Sequence, residues 1–159
     1  MPELVYKKLT AEDIPAYLEL LHRMAEFEKL EDSFAADEAS LQKWIVEQEK
    51  QEVYLLQEDG TNVGYVCFYE SFSSFLCRPG LYLDDLFILP EHRGKGYGKA
   101  TLDWLAAIAV DRGYGRFEWI CLDWNKGAMD FYKQYGASQM EGWSMFRLAG
   151  EKLQEIGSR

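Results

Sequence analysis

The most distinctive spacing of chemically useful residues lies at 92–98, where HRGKGYG places three glycines at alternate positions. A hydrophobic run, LYLDDLFILP, precedes it and the amphipathic stretch TLDWLAAIAV follows it, which predicts a strand, a turn and a helix start in succession. Backbone N–H groups at a helix start bind anions, and the helix dipole adds partial positive charge. Because Arg93, Lys95 and Lys99 add cationic side chains, we predict a phosphate-bearing ligand.

Two common nucleotide motifs fit this loop poorly. A Walker A loop needs Ser or Thr after its lysine, whereas Lys99 is followed by Ala100. A dinucleotide fingerprint needs G-x-G-x-x-G, whereas the spacing here is G-x-G-x-G. The remaining pattern, R-x-x-G-x-G after a strand with acidic residues, resembles the pyrophosphate loop of acyl-CoA-dependent N-acetyltransferases.

A second segment, CLDWNKGAMDFYKQYGA at 121–137, carries groups suited to proton transfer. Asn125 is predicted to end a strand and to begin a helix. Tyr132 lies seven residues further on, which is two turns along the same helix face. A single helical tyrosine is more often a core aromatic, but its combination with the glycine loop favours a chemical role.

The acidic residues indicate the charge of the other ligand. The formal net charge of −10 argues against nucleic acid and favours a cationic small molecule. Asp84 and Asp85 are neighbours in a predicted strand, and strand alternation would put their side chains on opposite faces. Both can face one pocket only if a β-bulge intervenes, and we predict such a bulge near Asp85.

Composition narrows the class of protein. No segment approaches the ~20 apolar residues of a membrane span, and MPELVYKKLT has no apolar signal core, so we predict a cytoplasmic protein of one domain, 1–159. The three cysteines and two histidines lack metal-ligand spacing, so no disulfide framework and no metal site are expected. Cys121 is the only cysteine expected near the site, as a buried strand residue.

The elements that must position these residues form a predicted mixed α/β sheet. Thr10 and Asp13 form a capping box for the first helix, Asp37 caps the second, and EDGT is the turn of a hairpin. Residues 71–80 are predicted to form an aromatic-rich loop. The predicted strands are 4–9, 53–57, 62–70, 81–89, 116–122 and 142–149, and the predicted helices are 10–27, 38–49, 96–112, 126–135 and 151–157.

Taken together, the motifs resemble the GNAT superfamily, and specifically its spermidine/spermine and thialysine N-acetyltransferase branch. The resemblance covers nearly the whole chain and rests on AEFEKLED near residue 30, LYLDDLFILPEHRGKGYG, LDWNKGAMDFYKQYGA and EGW at 141–143. It implies a GNAT fold, with a mixed, mostly antiparallel sheet, splayed central strands and helices on both faces. AEFEKLED and LDWNKGAMD favour the thialysine-type members.

The resemblance implies acetyl-CoA as the cofactor. The strand backbone would pair with the pantetheine arm, the glycine loop would hold the pyrophosphate, and Tyr132 would be the general acid. The implied cofactor-binding residues are Leu86, Phe87, Ile88, Arg93, Gly94, Lys95, Gly96, Tyr97, Gly98, Lys99, Asn125 and Tyr132.

The resemblance also implies a set of acceptor-binding residues. Asp84 is expected to bind the ammonium and to act as a water-mediated base, assisted by Asp85 and Glu28. The family commonly has Glu where this chain has Asp84, and Ser74 lies near the place of an acidic residue found in polyamine enzymes. The implied acceptor-binding residues are Phe27, Glu28, Asp84, Asp85, Glu118, Trp119, Ile120 and Glu141.

The predicted function is therefore acetyl transfer from acetyl-CoA to a primary amine of a small cationic molecule, thialysine- or lysine-like or a polyamine. Transfer would occur by direct attack in a ternary complex. The resemblance implies a homodimer, and neither nucleic acid nor a membrane is an expected partner. Two alternatives stay open, a peptide or protein N-acetyltransferase and a non-catalytic acyl-CoA-binding sensor.

Overall fold

The computed structural model describes residues 3–159, so the first two residues of the predicted domain 1–159 lie outside it. The chain forms two compact units, Met1–Ile120 and Cys121–Arg159. The first contains β1 (Leu4–Lys8), α1 (Ile14–Glu28), α2 (Glu38–Leu41), β2 (Glu52–Glu58), β3 (Thr61–Ser73), β4 (Arg78–Ile88), α3 (Tyr97–Asp111) and β5 (Phe117–Trp119). The second contains α4 (Lys126–Tyr135) and α5 (Gly150–Gly157).

The first unit is built on a five-stranded sheet in the order β1-β2-β3-β4-β5. The first four strands pair antiparallel, and β5 pairs parallel to β4, so the predicted mixed, mostly antiparallel sheet is confirmed. β5 pairs only with residues 81–83, although β4 continues to Ile88. The two central strands therefore splay apart after Leu83, and the described part of the chain places no strand on that edge of β4.

Helices cover both faces of this sheet. On one face, Tyr17 of α1 packs edge-on against Tyr65 of β3, with ring centroids 5.1 Å apart. On the other face, Trp104 of α3 stacks on Tyr6 with centroids 4.1 Å apart, and it meets Tyr54 edge-on at 4.9 Å. Burial of these large rings on both sides fixes the sheet between its helices.

Local sequence signals explain several boundaries. The Thr10 backbone N–H and hydroxyl both donate to Asp13 Oδ2 at 2.9 Å, so the predicted capping box is confirmed. Asp37 Oδ1 accepts from the Ser40 N–H at 2.7 Å. The β2–β3 turn places residues 59 and 60 at φ 50° and 79°, which favours its Asp-Gly sequence.

Four predicted elements were wrong in extent or kind. Most of the predicted 71–80 loop is strand, because β3 and β4 remain paired as far as Ser73 and Arg78. The predicted strand 116–122 shrinks to β5, and the predicted helix 38–49 is a short α2 followed by a π-helix over Gln42–Glu47. Residues 142–149 form no strand, and Trp143 is 80 % exposed. Strand propensity alone cannot form a strand without a partner.

Candidate active site

A β-bulge in β4 brings the two adjacent aspartates to one face of the sheet. Cys67 of β3 pairs with Asp85, and Phe68 pairs with Leu83, so Asp84 is an extra residue without a partner. The predicted bulge near Asp85 is confirmed. As a result, carboxylate oxygens of Asp84 and Asp85 and the Cys67 Sγ all lie within 4.8 Å of one another. The sheet face that carries them is the one covered by α1.

Glu28, at the end of α1, is a third carboxylate near Asp84 and Asp85, and we call these three residues the acidic pocket. Burial, followed by the charges of Asp84 and Glu28, raises the pKa of Asp85 to about 7. Burial and the Asp84 charge also raise the pKa of Glu28. Within residues 3–159, none of the three carboxylates takes part in an ion pair. The acidic pocket is thus suited to a cation supplied by a ligand.

Two neutral polar side chains hydrogen-bond to the aspartates, and no sequence motif predicts either contact. Gln51 Nε2 donates to Asp84 Oδ2 at 3.0 Å, and the Tyr65 hydroxyl donates to Asp85 Oδ2 at 3.5 Å. Both contacts join residues that are far apart in the chain, so no local motif could have predicted them. They orient the two carboxylates independently of a ligand.

The expectation that Cys121 is the only cysteine near the site was wrong. Cys67 Sγ lies 3.8 Å from Asp84 Oδ2, because the bulge faces it across the β3–β4 pair. Cys121 is only half-buried and lies in no strand. Cys67 is 2 % exposed, and burial raises its pKa well above the ordinary thiol value. A thiol held in its protonated form is a poor nucleophile and a poor metal ligand.

The glycine loop lies between β4 and α3 and has the geometry of an anion site. Gly94 and Gly96 have φ of 83° and 79°, in the left-handed region that glycine adopts without strain. Gly98 does not need that freedom, yet a Cβ built on it would meet no protein atom within 4 Å. The space above the loop and the N–H groups of the first turn of α3 therefore suit a phosphate that approaches the backbone closely.

The cationic side chains of the loop already have protein partners. Lys95 Nζ donates to Glu58 Oε1 at 2.9 Å, and the Tyr97 hydroxyl donates to the same oxygen at 2.6 Å. These hydrogen bonds hold the pKa of Glu58 below its usual range and raise that of Tyr97 to about 12. Lys99 Nζ donates to Asp103 Oδ2 at 2.9 Å. Glu58 could not be predicted as a partner from sequence, because it is 37 positions from Lys95 and shares no motif with it.

Arg93 connects the loop with the predicted acceptor side. Its Nε donates to the carbonyl of Ile88 at 2.9 Å. Its guanidinium lies over the rings of Phe27 and Phe87, with the central carbon 4.6 Å and 5.7 Å from their centroids. Burial lowers the pKa of Arg93, which stays a cation at neutral pH. The structure therefore places Phe27 near Phe87 and Arg93, at the end of β4.

The free edge of β4 is suited to an extended, amide-bearing chain. The backbone of Leu86, Phe87 and Ile88 pairs with β3 on one side and has no β5 residue beside it on the other. Groups on an open strand edge pair readily with an added peptide-like segment. In β5, Glu118 and Trp119 lie opposite Tyr82 and Leu83, and Ile120 follows the last pair.

The remaining predicted site residues belong to the second unit. Asn125 Oδ1 accepts from the Ala128 N–H at 3.2 Å and so caps α4. Tyr132 is on α4, and its ring centroid lies 5.6 Å from that of Phe131. Glu141 is exposed in a turn after α4.

Comparisons with known proteins agree with this geometry. A sequence profile of the acetyltransferase (GNAT) family matches residues 14–137. The chain is 34% identical to a thialysine N-epsilon-acetyltransferase of Bos taurus, over 89% of this chain and 90% of the relative. It is 31% identical to an L-ornithine N5-acetyltransferase of Arabidopsis thaliana, over 92% of this chain and 85% of the relative.

Solved structures share the fold. An integron cassette protein from the mobile metagenome of V. cholerae superposes with a TM-score of 0.79 at 24% identity, covering 98% of both chains. Among residues 3–159, no helix has the length and apolar character needed to cross a membrane.

Proposed function

The chain belongs to the GNAT acetyltransferase family, and we propose that it transfers the acetyl group of acetyl-CoA to a primary amine of a small cationic molecule. The curated relatives named for thialysine and ornithine support an acceptor of this kind. The observation that carries the proposal is the acidic pocket, where the bulge sets Asp84 and Asp85 beside Glu28 and where residues 3–159 supply no ion-pair partner.

The glycine loop and the β4 edge would hold the cofactor. The close backbone approach open at Gly98, in the first turn of α3, and the N–H groups of that turn fit the pyrophosphate, and the edge of Leu86–Ile88 fits the pantetheine amides. We further assign Asn125 and Tyr132 to cofactor contacts. When bound, acetyl-CoA supplies the activated acetyl group and a sulfur leaving group.

On the acceptor side, the acidic pocket binds the ammonium and removes its proton. A free amine of this class has a pKa of about 10.4, so it must lose a proton before it can attack. Asp84, exposed and fixed by Gln51, binds the cation and passes the proton to solvent through a water. Asp85 and Glu28 add negative charge, and Phe27, Glu118, Trp119, Ile120 and Glu141 line the acceptor site in this proposal.

Transfer would proceed directly in a ternary complex, and Tyr132 would donate a proton to the departing sulfur. The raised thiol pKa of Cys67, the cysteine beside the two aspartates, supports this order, because a protonated thiol is a poor nucleophile. Tyr132→Phe should lower turnover by about 100-fold with little change in the acetyl-CoA dissociation constant, because the ring that contacts the cofactor is kept and only the proton donor is lost. Unchanged turnover would remove Tyr132 from this role.

The two units would act as one domain, 1–159, since the matched segment 14–137 spans the boundary between them. We also propose a homodimer in the cytoplasm, where acetyl-CoA is available. Exposed apolar side chains such as Trp143 and Phe146 support a second subunit. Light scattering at several protein concentrations tests the dimer, and a strictly monomeric mass would contradict it.

A panel of acceptors tests the proposed function. Thiol release from acetyl-CoA is measured with thialysine, lysine, ornithine, spermidine, spermine and peptide amines, and the products are identified by mass. At least one free amine should exceed every peptide in kcat/KM. If peptides are the better acceptors, the alternative of a peptide N-acetyltransferase replaces the small-molecule proposal; acetyl-CoA binding without turnover would indicate a sensor.

A further inference from the structure

A row of side chains crosses three strands beside the acidic pocket, on the same face of the sheet. Tyr69 of β3 pairs with Tyr82 of β4, and Tyr82 lies opposite Glu118 of β5. The two rings are tilted by 34°, with centroids 5.0 Å apart. Residues opposite each other in a sheet project from the same face, so the three side chains form one continuous strip.

Arg116 extends the strip by one further row. Its Cγ would be 3.3 Å from a Cβ placed on Gly80. Gly80 lies two positions before Tyr82 in β4 and therefore faces the same side of the sheet. The Arg116 Nη1 lies 3.9 Å from Glu118 Oε1, a distance typical of a weak ion pair. The Arg116 and Glu118 side chains are 44% and 43% exposed, so both are accessible to a ligand.

The acidic pocket and this strip are continuous. Asp84 follows Tyr82 by two positions, and the bulge turns Asp84 to the same face. Burial and then the Asp84 charge raise the pKa of Tyr69; for Tyr82, burial and Tyr69 raise the pKa most, and Asp84 adds to them. From Asp84 back toward the start of β4, the face thus presents the carboxylates first, then the tyrosines with Glu118, and finally Arg116.

This order of charges complements an α,ω-diamino acid. Such a molecule has a side-chain ammonium at one end and an α-ammonium beside an α-carboxylate at the other. Two residues of strand span about 7 Å, and an extended lysine spans about 6 Å from Cα to Nζ. A side-chain ammonium in the acidic pocket would therefore bring the amino-acid end to Glu118 and Arg116.

We propose that Tyr69, Tyr82, Glu118 and Arg116 form a subsite for the amino-acid end of a diamino-acid acceptor. Glu118 binds the α-ammonium, Arg116 binds the α-carboxylate, and the two tyrosine rings pack along the methylenes. A diamine or polyamine lacks the carboxylate that Arg116 would bind, so the subsite favours the amino acid. This inference rests on the proposed function and extends it to a choice among amines.

Lysine and pentane-1,5-diamine, which differ only by the carboxylate, provide the test. Arg116→Gln should raise KM for lysine by about tenfold or more with little change in kcat, because a charge-assisted contact to the carboxylate is lost. The KM for the diamine should be unchanged or lower. Arg116→Glu should go further and raise kcat/KM for the diamine. Lys152→Gln is the control, because it removes a cation from an exposed ion pair with Glu155 in α5.

Equal effects of Arg116→Gln on both acceptors, or no effect on either, would overturn the subsite while leaving the acetyltransferase in place. Calorimetric titration of both compounds into the wild type and Arg116→Gln separates the two proposals. Arg116-dependent lysine binding without acetylation of any amine would contradict the proposed function alone. Lysine binding that does not depend on Arg116 would contradict the subsite alone.

Discussion

Two charged regions of the first unit are built in opposite ways. In the glycine loop, Lys95 is neutralised by Glu58, and the positive character comes from Arg93 and from the backbone N–H groups at the start of α3. In the acidic pocket, Glu28, Asp84 and Asp85 have no cationic partner within the described residues, and the pKa of Asp85 rises to about 7. The charge of Lys95 in the loop is therefore balanced without a ligand. In the pocket, the negative charges of the three carboxylates repel one another, and a cationic ligand would reduce this repulsion.

The difference explains why one region is easy to recognise in sequence and the other is not. A backbone site depends on glycines at fixed local positions, and these appear as a motif. A side-chain site depends on which strands pair and where a bulge falls, and these are long-range properties. Removing a side-chain charge should therefore weaken amine binding in the pocket strongly and cofactor binding at the loop only slightly. Adding a Cβ to a loop glycine should weaken cofactor binding.

The largest effect is expected for Asp84→Asn. Loss of the carboxylate that binds the ammonium and accepts its proton should lower kcat/KM for the amine by about 100- to 1,000-fold. The dissociation constant of acetyl-CoA should stay unchanged, which equilibrium titration checks. Asp111→Asn, at the exposed end of α3, is the control. An equal loss of cofactor affinity would mean that the two regions are not separate.

Asp85→Asn should reveal how much the negative charge of Asp85 destabilises the folded protein at neutral pH. The folded protein keeps the Asp85 proton to about pH 7, whereas an unfolded chain loses it near the ordinary value of 3.8. The folded state therefore binds more protons between these values, and its stability falls as the pH rises through this window. The Asn variant lacks this fall.

Relative to the wild type, the free energy of unfolding of Asp85→Asn should rise by about 3 kcal/mol between pH 4 and pH 8. Urea unfolding at a series of pH values measures this difference. A difference that does not change with pH would show that the Asp85 pKa is the same in the folded and unfolded states, and would contradict the raised pKa. Amine binding to the wild type should strengthen through the same window, as Asp85 becomes charged.

Gly98→Ala should separate cofactor binding from folding. The added Cβ meets no protein atom and lies in a helix, so stability should be unchanged or higher by about 0.5 kcal/mol. The affinity for acetyl-CoA should fall by about tenfold, because the methyl group holds the pyrophosphate away from the backbone. Gly157→Ala in α5, also without a nearby atom, should leave affinity unchanged. Undiminished affinity in Gly98→Ala would contradict the loop assignment.

The smallest effect is expected for Glu58→Gln. The variant frees Lys95 from an ion pair but weakens the anchor that holds Lys95 and Tyr97. These consequences oppose each other, so the acetyl-CoA dissociation constant should change by only about threefold. The amine KM should not change. A change in the amine KM larger than that in cofactor affinity would place Glu58 on the acceptor side.

Local signals predicted much of the first unit correctly. The Thr10–Asp13 capping box, the Asp-Gly turn and the glycine loop act over a few residues, so their structures follow from sequence. The bulge was also predictable, since two adjacent aspartates can share a pocket only through an irregular strand. The 71–80 segment was not predictable, because its strands depend on pairing across the hairpin.

By itself, the sequence determined the family, the glycine loop and the acidic character of the acceptor site, because each depends on residue types at short, fixed spacings. Only the tertiary structure decided that Cys67, Gln51 and Tyr65 surround the two aspartates, and that Glu58 neutralises Lys95. It also decided that Glu118 lies beside Tyr82 and that Arg116 lies beside Gly80, on the same face of the sheet. These neighbours come from different strands, and the register of a sheet is set by packing across the whole unit.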